Sequence, residues 1–322
     1  MSNPKPVVAV TRKVPGELVV PGAEVRILSD RLEPLERIHE FIAGCDILVP
    51  MYTNKVDVAM LDAAGANLKG VCNFAVGYNN VDVEACRARG IVVTNTPDAV
   101  TEGTADIAWL HIMAAARRLI EADRFARTGA WHEHGSLGMA EFLGLDLTGR
   151  TLHIVGAGRI GYAVAIRALA WGMKILYTAR TRKWNFELAP VNARRVKLDE
   201  GLAEADVVSI HTPLTDETHH LIDARRLGLM KRTAILVNTS RGPVVDEAAL
   251  AAALRDKRIW GAGLDVFESE PRVHPDLVGL DNVTMTPHIG SGEIRFREEM
   301  TNMVAANAAA ILKGEAPPNR VC

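Results

Sequence analysis

Three short segments carry side chains that could act on a carbonyl group. VNTSRGPVVDE, GLDVFESEP and TPHIGS supply Arg241, Glu270 and His288. Reducing a ketone leaves negative charge on its oxygen. A protonated imidazole can stabilise that charge and deliver the proton. A carboxylate beside the imidazole favours its charged form and fixes the ring. An arginine's planar fork can hold a substrate carboxylate and polarise the neighbouring keto oxygen. The three types together suit 2-keto acid chemistry. Taken singly, each is ordinary: an Arg after a strand is commonly a surface charge, a Glu before Pro can start a turn, and a His after Pro can be a satisfied loop residue. Each segment, however, closes an expected strand, where parallel sheets build their sites.

A second cluster is suited to binding. IVGAGRIG sets Gly156, Gly158 and Gly161 in G-x-G-x-x-G order, between the apolar run TLHIV and the helical run RIGYAVAIRALAWG. Gly156 permits the tight turn, Gly158 lets the backbone approach a pyrophosphate, and Gly161 lets helix and strand pack closely. The amides and dipole at the helix start attract phosphates. Strand–loop–helix context makes the motif specific, where the glycines alone are weak. Such loops are usually followed, about 20 residues on, by an acid that holds the ribose 2′-hydroxyl of NAD. This chain has Thr178, Ala179, Arg180, Thr181, Arg182 and Lys183 there. With no carboxylate at Ala179, a 2′-phosphate is not repelled. Arg180 can pair with it, Arg182 or Lys183 adds positive potential, and Thr178 and Thr181 supply neutral hydroxyls. The expected cofactor is NADP(H), with NAD(H) as the alternative.

Positioning these groups requires α/β architecture. Short β-rich runs alternate with helical ones: VVAV, AEVRIL, DILVPM, LKGVCNF and IVVTNTP first, then TLHIV, KILYT, DVVSI, AILVN, GAGLDV and NVTMT. The second series matches a six-stranded dinucleotide fold. A long helix is expected from about Thr101 to Arg127, and a last one from about Glu293 to Lys313 that packs back on the first domain. The fold class is thus two parallel-sheet α/β domains, Rossmann-like and flavodoxin-like. The NAD(P)-binding domain, 100–288, is inserted in a substrate domain made of 1–99 and 289–322. The two crossings are expected to form a hinge.

Composition narrows the partners. Of 322 residues, 48% are hydrophobic and 24% charged, with a net charge of −2. That excludes a strongly basic nucleic-acid footprint, and no apolar run reaches the roughly 18 residues of a membrane span. MSNPKPVVAV reads as the run-in to a first strand rather than a signal peptide. Cys45, Cys72, Cys86 and Cys322 have no metal-type spacing, and reduced thiols in a cytoplasmic protein are expected. His132 and His134 lack the ligands that would complete a metal site, so no metal is expected.

These segments, with NFAVGYNNVDVEACRARGIVVTNTPDAVTEGTADIA, resemble the D-isomer-specific 2-hydroxyacid dehydrogenases over almost the whole chain. FLGLDLTGRTLHIVGAGRIG and ILYTARTRK are most similar to the branch of NADPH-dependent glyoxylate and hydroxypyruvate reductases. The resemblance implies that the amides of Val76 and Gly77 receive the substrate carboxylate, and that Asp265 meets the nicotinamide carboxamide. Thr104 and the turn His211, Thr212 and Pro213 line the cofactor, which makes His211 a poor candidate for the acid. Arg159, Ile160, Thr218, Thr239, Ser240 and Gly290 lie along it too, with Arg241 and His288 reaching it. Similar formate dehydrogenases pair the active histidine with Gln, so Glu270 points to true acid–base chemistry. Tyr52 stands where glyoxylate reductases often have Leu beside the substrate, and is expected to narrow the pocket or add a hydroxyl contact. The implied activity is reduction of glyoxylate or hydroxypyruvate to glycolate or D-glycerate by a homodimer, with Trp131–Gly149 as the arm between subunits. Two other readings stay open: reduction of a bulkier acid such as 2-ketogluconate or an aryl pyruvate, or a cofactor-sensing co-repressor-like protein. A phosphoglycerate dehydrogenase is disfavoured because no regulatory extension follows ILKGEAPPNRVC.

Overall fold

Two all-parallel sheets organise the chain in a computed structural model that describes residues 4–322. Residues 1–3, the start of the expected run-in, lie outside the described residues. One unit comprises the chain up to Val100 together with Ser291–Cys322; the other is Thr101–Gly290.

The first unit has five strands: β1 (Val7–Val10), β2 (Glu24–Ile27), β3 (Ile47–Val49), β4 (Gly70–Cys72) and β5 (Val92–Thr94), in the order β2-β1-β3-β4-β5. That is the flavodoxin-like order. Alternate side chains of these strands enter separate cores, because strand side chains point to opposite faces. Val8, Val10, Ile47 and Val49 meet Met300, Val304 and Ile311 of the helix Ile294–Lys313. Ala9, Leu48, Val71 and Val93 meet Ile38, Ile42, Met60 and Cys86 from the helices on the other face. Both faces of β1, β3 and β4 are covered, so these strands read as continuous apolar runs. Gly70 allows the close approach of the last helix, for an added Cβ would lie 2.7 Å from the Ile311 methyl.

The second unit has seven strands: β6 (Thr151–Val155), β7 (Lys174–Thr178), β8 (Arg194–Arg195), β9 (Val207–Ile210), β10 (Ile235–Asn238), β11 (Gly261–Leu264) and β12 (Val283–Met285). Their order is β12-β11-β10-β9-β6-β7-β8. The order reverses at β6, so the crevice beyond its carboxyl end is the switch point where such folds bind ligands. Six of these strands match the expected runs. β8 is an additional two-residue edge strand, too short and too polar to stand out.

The expected single helix to Arg127 is corrected. It ends at Ala116, Arg118 turns left-handed at φ 53°, and a second helix spans Leu119–Arg127. The first buries Ala105, Ala108 and Ile112 in the core of its unit, whereas the second buries nothing. The break follows from the returning chain: the Leu145 amide donates to the Ala116 carbonyl at 2.8 Å, occupying the helix end. Gly144 lies so close that an added Cβ would sit 2.5 Å from that oxygen. The segment after Arg127 also holds a short helix, Ala130–His134.

Candidate active site

The glycine loop is built as its spacing implies. Gly156 adopts φ 101°, and an added Cβ would lie 2.6 Å from the His211 carbonyl oxygen. Gly161 packs so tightly that a Cβ would meet the Gly156 carbonyl at 2.6 Å and the Ile154 side chain at 2.8 Å. Around Gly158 a Cβ would meet nothing within 4 Å. That open face adjoins the start of the helix Arg159–Leu169, which has no side-chain cap. The first-turn amides of Arg159, Ile160 and Gly161 have no intrahelical acceptors and present a positive end. His211 Nδ1, Thr212 Oγ1 and Thr239 Oγ1 are buried without partners. Buried polar atoms are normally bonded, so these orphans, two of them on the His211–Thr212 segment that packs on Gly156, fit a polar ligand such as a dinucleotide.

Several other expected cofactor contacts use their side chains internally. Thr178 Oγ1 donates to the Val196 carbonyl at 3.0 Å and accepts from His153 Nε2 at 2.8 Å. Thr218 Oγ1 donates to the Pro213 carbonyl at 2.7 Å and accepts the Thr215 amide at 2.7 Å. Ser240 Oγ donates to Asn238 Oδ1 at 2.8 Å. These hydroxyls shape their loops. His211 bonds Ser209 through Nε2 at 2.8 Å, and burial pushes it down to about 3, so it is a neutral imidazole. Arg182 pairs with Glu187 at 2.5 Å rather than standing as an open cation. Arg180 and Thr181 are exposed at the end of β7.

Beyond β10, β11 and β12 the expected catalytic groups come together. His288 Nδ1 donates to Glu270 Oε2 at 2.8 Å. Glu270 Oε1 accepts the Phe267 amide at 3.0 Å. Burial alone would raise the Glu270 pKa; the hydrogen bond and charge of His288, the Phe267 amide and the charge of Arg241 outweigh it and lower it. Arg241 Nη1 donates to the Ser240 carbonyl at 2.7 Å, and Asn238 Nδ2 holds the Arg241 carbonyl at 2.9 Å. Gly242 matters here because an added Cβ would overlap the Phe267 carbonyl and the Glu268 nitrogen. The loops of Arg241 and Glu270 therefore touch backbone to backbone.

Asp265 organises the turn that carries His288, a residue with φ 53°. Its Oδ1 accepts Thr286 Oγ1 at 2.6 Å and the Ile289 amide at 2.8 Å; its Oδ2 accepts the Gly290 amide at 2.8 Å. Burial pushes the carboxyl up, against those three bonds and the charge of His288. Gly290 leaves no room for a side chain between Asp265 and Thr104, whose nearest atoms would be 3.1 and 3.2 Å from a Cβ. Thr286 donates to Asp265, so it must accept from His111 Nε2 at 2.9 Å; Nδ1 of that ring takes the Thr284 hydroxyl at 2.6 Å. Nothing in a lone apolar-flanked His111 signals this chain. Also unforeseen is a reciprocal pair in which the Glu268 amide donates to Glu247 Oε1 at 2.7 Å and the Glu247 amide to Glu268 Oε1 at 2.8 Å. It ties the Glu270 loop to the helix after Arg241, across 21 residues of chain.

In the first unit, the Ala75 carbonyl accepts the Thr96 amide at 3.0 Å and the Val76 carbonyl accepts Asn95 Nδ2 at 2.8 Å. A trans peptide sets N–H opposite C=O, so the amides of Val76 and Gly77 point away from these anchors. Asn73 Nδ2 holds the Gly77 carbonyl at 2.9 Å. Asn80 joins this loop to that of Tyr52, donating to Asn73 Oδ1 and the Asn54 carbonyl, both at 3.0 Å. Tyr52 is 41% exposed. Sequence reading missed these asparagines; the Asn54 carbonyl that Asn80 holds lies 26 residues away in another loop.

No group of metal-ligating side chains occurs among the described residues, and none of their helices is long and apolar enough to cross a membrane. His134 bonds Glu141 at 3.0 Å. Cys45 and Cys72 are buried, with thiols pushed up to about 12 chiefly by burial.

Comparison with known proteins gives concordant matches. Residues 109–290 match the family model described as D-isomer specific 2-hydroxyacid dehydrogenase, NAD binding domain. A glyoxylate reductase of Thermococcus onnurineus is 48% identical over 98% of this chain and 96% of its own length. One from Pyrococcus horikoshii is 45% identical over the same shares. Among solved structures, the TT0316 protein from Thermus thermophilus superposes with a TM-score of 0.92 at 44% identity, over 98% of this chain and all of that one. An NADPH-dependent glyoxylate/hydroxypyruvate reductase from Sinorhizobium meliloti, in complex with NADP and malonate, gives 0.83 at 32% identity, over 99% and 97%.

Proposed function

This chain belongs to the D-isomer-specific 2-hydroxyacid dehydrogenase family, and we propose that it reduces glyoxylate and hydroxypyruvate to glycolate and D-glycerate with NADPH. The observation that carries the reading is the His288–Glu270 hydrogen bond at 2.8 Å, on a turn clamped by Asp265. When bound, the dinucleotide supplies a hydride to the keto carbon. His288 delivers the proton to the keto oxygen from Nε2, because Nδ1 is committed to Glu270. Glu270 remains a carboxylate, and its bond to Nδ1 orients the ring. Arg241 grips the substrate carboxylate and polarises the ketone. The amides of Val76 and Gly77 also serve the carboxylate, and Tyr52 limits substrate size.

The cofactor is held by the open face at Gly158 and by the first-turn amides of the following helix. Asp265 Oδ2 accepts one hydrogen bond, which leaves capacity for a carboxamide donor. Preference for NADPH is supported by Ala179 in place of an acid and by Arg180 beside it. The enzyme acts as a cytoplasmic homodimer. Supporting the subunit arm, Trp131, Met139 and Leu143 are 52%, 96% and 58% exposed, more apolar surface than a solvated loop ordinarily shows.

Steady-state turnover of glyoxylate, hydroxypyruvate and phenylpyruvate with each nicotinamide cofactor tests the proposal. The two small acids should exceed phenylpyruvate in kcat/KM, and NADPH should exceed NADH. Faster turnover of phenylpyruvate would overturn the small-substrate assignment, and equal use of both cofactors would overturn the NADPH assignment.

A further inference from the structure

The basic run after β7 is organised differently from what its sequence implies. Arg182 Nε and Nη2 meet Glu187 Oε2 at 2.6 and 2.5 Å, and its guanidinium lies 4.0 Å from the Trp184 ring centroid. Glu187 also accepts the Tyr177 hydroxyl at 2.6 Å, and that hydroxyl accepts the Lys183 amide at 3.0 Å. Arg182 is thus neutralised locally, in a closed network with Glu187, Tyr177 and the Lys183 amide. Another arginine arrives from the neighbouring strand. β8 pairs Arg195 with Tyr177. Arg194 turns to Glu200 and Glu204. Arg195 instead donates Nη2 to the carbonyls of Ala179 and Arg180, at 2.9 and 3.0 Å.

One guanidinium nitrogen therefore holds two successive carbonyls just past the end of β7. Neither peptide is cis, and a trans peptide sets its N–H opposite its C=O. The amides of Arg180 and Thr181 must point away from Arg195, on the other side of the turn. Neither donates to an acceptor among the described residues. Successive amides aimed to one side form an anion-binding concavity, and the Arg180 side chain springs from the same turn.

We propose that Arg195 is a positioning residue for a phosphate monoester on the cofactor ribose: by taking the carbonyls of Ala179 and Arg180 it aims the amides of Arg180 and Thr181 at the 2′-phosphate. This rests on the NADPH reading above and adds to it a residue outside the basic run, in a role Arg182 does not fill.

Calorimetric titration with NADP⁺ and NAD⁺, which differ only in the 2′-phosphate, tests it without turnover. Arg195→Ala should weaken NADP⁺ roughly tenfold, the scale of one charge-assisted hydrogen bond, with NAD⁺ affinity unchanged as proof of an intact fold. Arg195→Lys, whose ammonium can reach the same carbonyls, should restore most of the loss, and Arg182→Ala should cost less than Arg195→Ala. The loss should persist at high salt, because turn geometry is not screened. Equal weakening of both ligands, no weakening, or a loss that vanishes with salt would overturn the positioning role. A wild-type enzyme that binds NADP⁺ no better than NAD⁺ would instead overturn the NADPH reading, whatever the variants do.

Discussion

Gly242→Ala puts the geometry of the acid site to a direct test. The position follows Arg241, and the added methyl would overlap the Phe267 carbonyl and the Glu268 nitrogen. An ordinary contact needs about 3.5 Å, so the Arg241 and Glu270 loops must part by more than about 1 Å. The movement cannot be absorbed on the Glu270 side without disturbing the reciprocal Glu247–Glu268 bonds or the Phe267–Glu270 bond. Misplacing reacting groups by about 1 Å can cost about 100-fold in rate. Overpacking typically costs about 1–3 kcal/mol, within the 5–15 kcal/mol or so by which domains are stable. The expected result is therefore a folded enzyme with kcat/KM for glyoxylate down about 100-fold. NADPH binding should be nearly unchanged, because the loop of Gly156, Gly158 and Gly161 is untouched. Steady-state kinetics, a thermal melt and a cofactor titration on one preparation decide the matter. Near-normal turnover would refute the claim that close backbone contact at Gly242 sets Arg241 against Glu270 and His288.

His288→Ala should lower kcat by about 10²–10⁴ with cofactor binding retained; turnover near wild type at neutral pH would remove His288 from the mechanism. Arg180→Ala should raise KM for NADPH roughly ten- to hundredfold, the span of a charge-assisted hydrogen bond, and KM for NADH far less; equal effects would sink the assignment. Tyr52→Ala should narrow the gap between glyoxylate and phenylpyruvate, and an unchanged ratio would place Tyr52 outside the pocket. Acid should destabilise the fold early, because burial pushes His111 and His153 from 6.5 down to about 4. Above pH 6.5 both are neutral in either state; as pH falls from 6.5 to 4 the unfolded chain takes up protons that the folded one refuses, at a cost of about 3 kcal/mol per imidazole. Urea melts at pH 7.5 and 5 should show a smaller loss for His111→Gln than for wild type, and an equal loss would mean that His111 does not titrate as its burial requires.

What could be read from the chain alone was whatever depends on near neighbours in sequence. Gly156, Gly158 and Gly161 serve one turn, and strand β6 and the following helix flank them in the sequence as in space. The apolar runs of β6, β7 and β9 are legible because both faces of a parallel sheet are covered. β8 was missed because Arg194–Arg195 pairs only at an edge, where nothing apolar marks it. The break at Arg118 was missed because the pattern of small and apolar residues runs on while the reason to stop, Leu145 at the Ala116 carbonyl, is 29 residues away. Side-chain types were legible at Thr178, Thr218 and Ser240, but not direction, since each hydroxyl is claimed by an acceptor from its own surroundings before a ligand can compete for it. The same physics explains Arg182 and Arg195. A run of basic residues states how much charge is available near β7, but an acid four residues beyond the run, Glu187, decides which cation is neutralised. A strand of two residues decides which one braces the turn. Specificity at this end of the site therefore depends on the arrangement of carbonyls and carboxylates around the arginines as much as on their number.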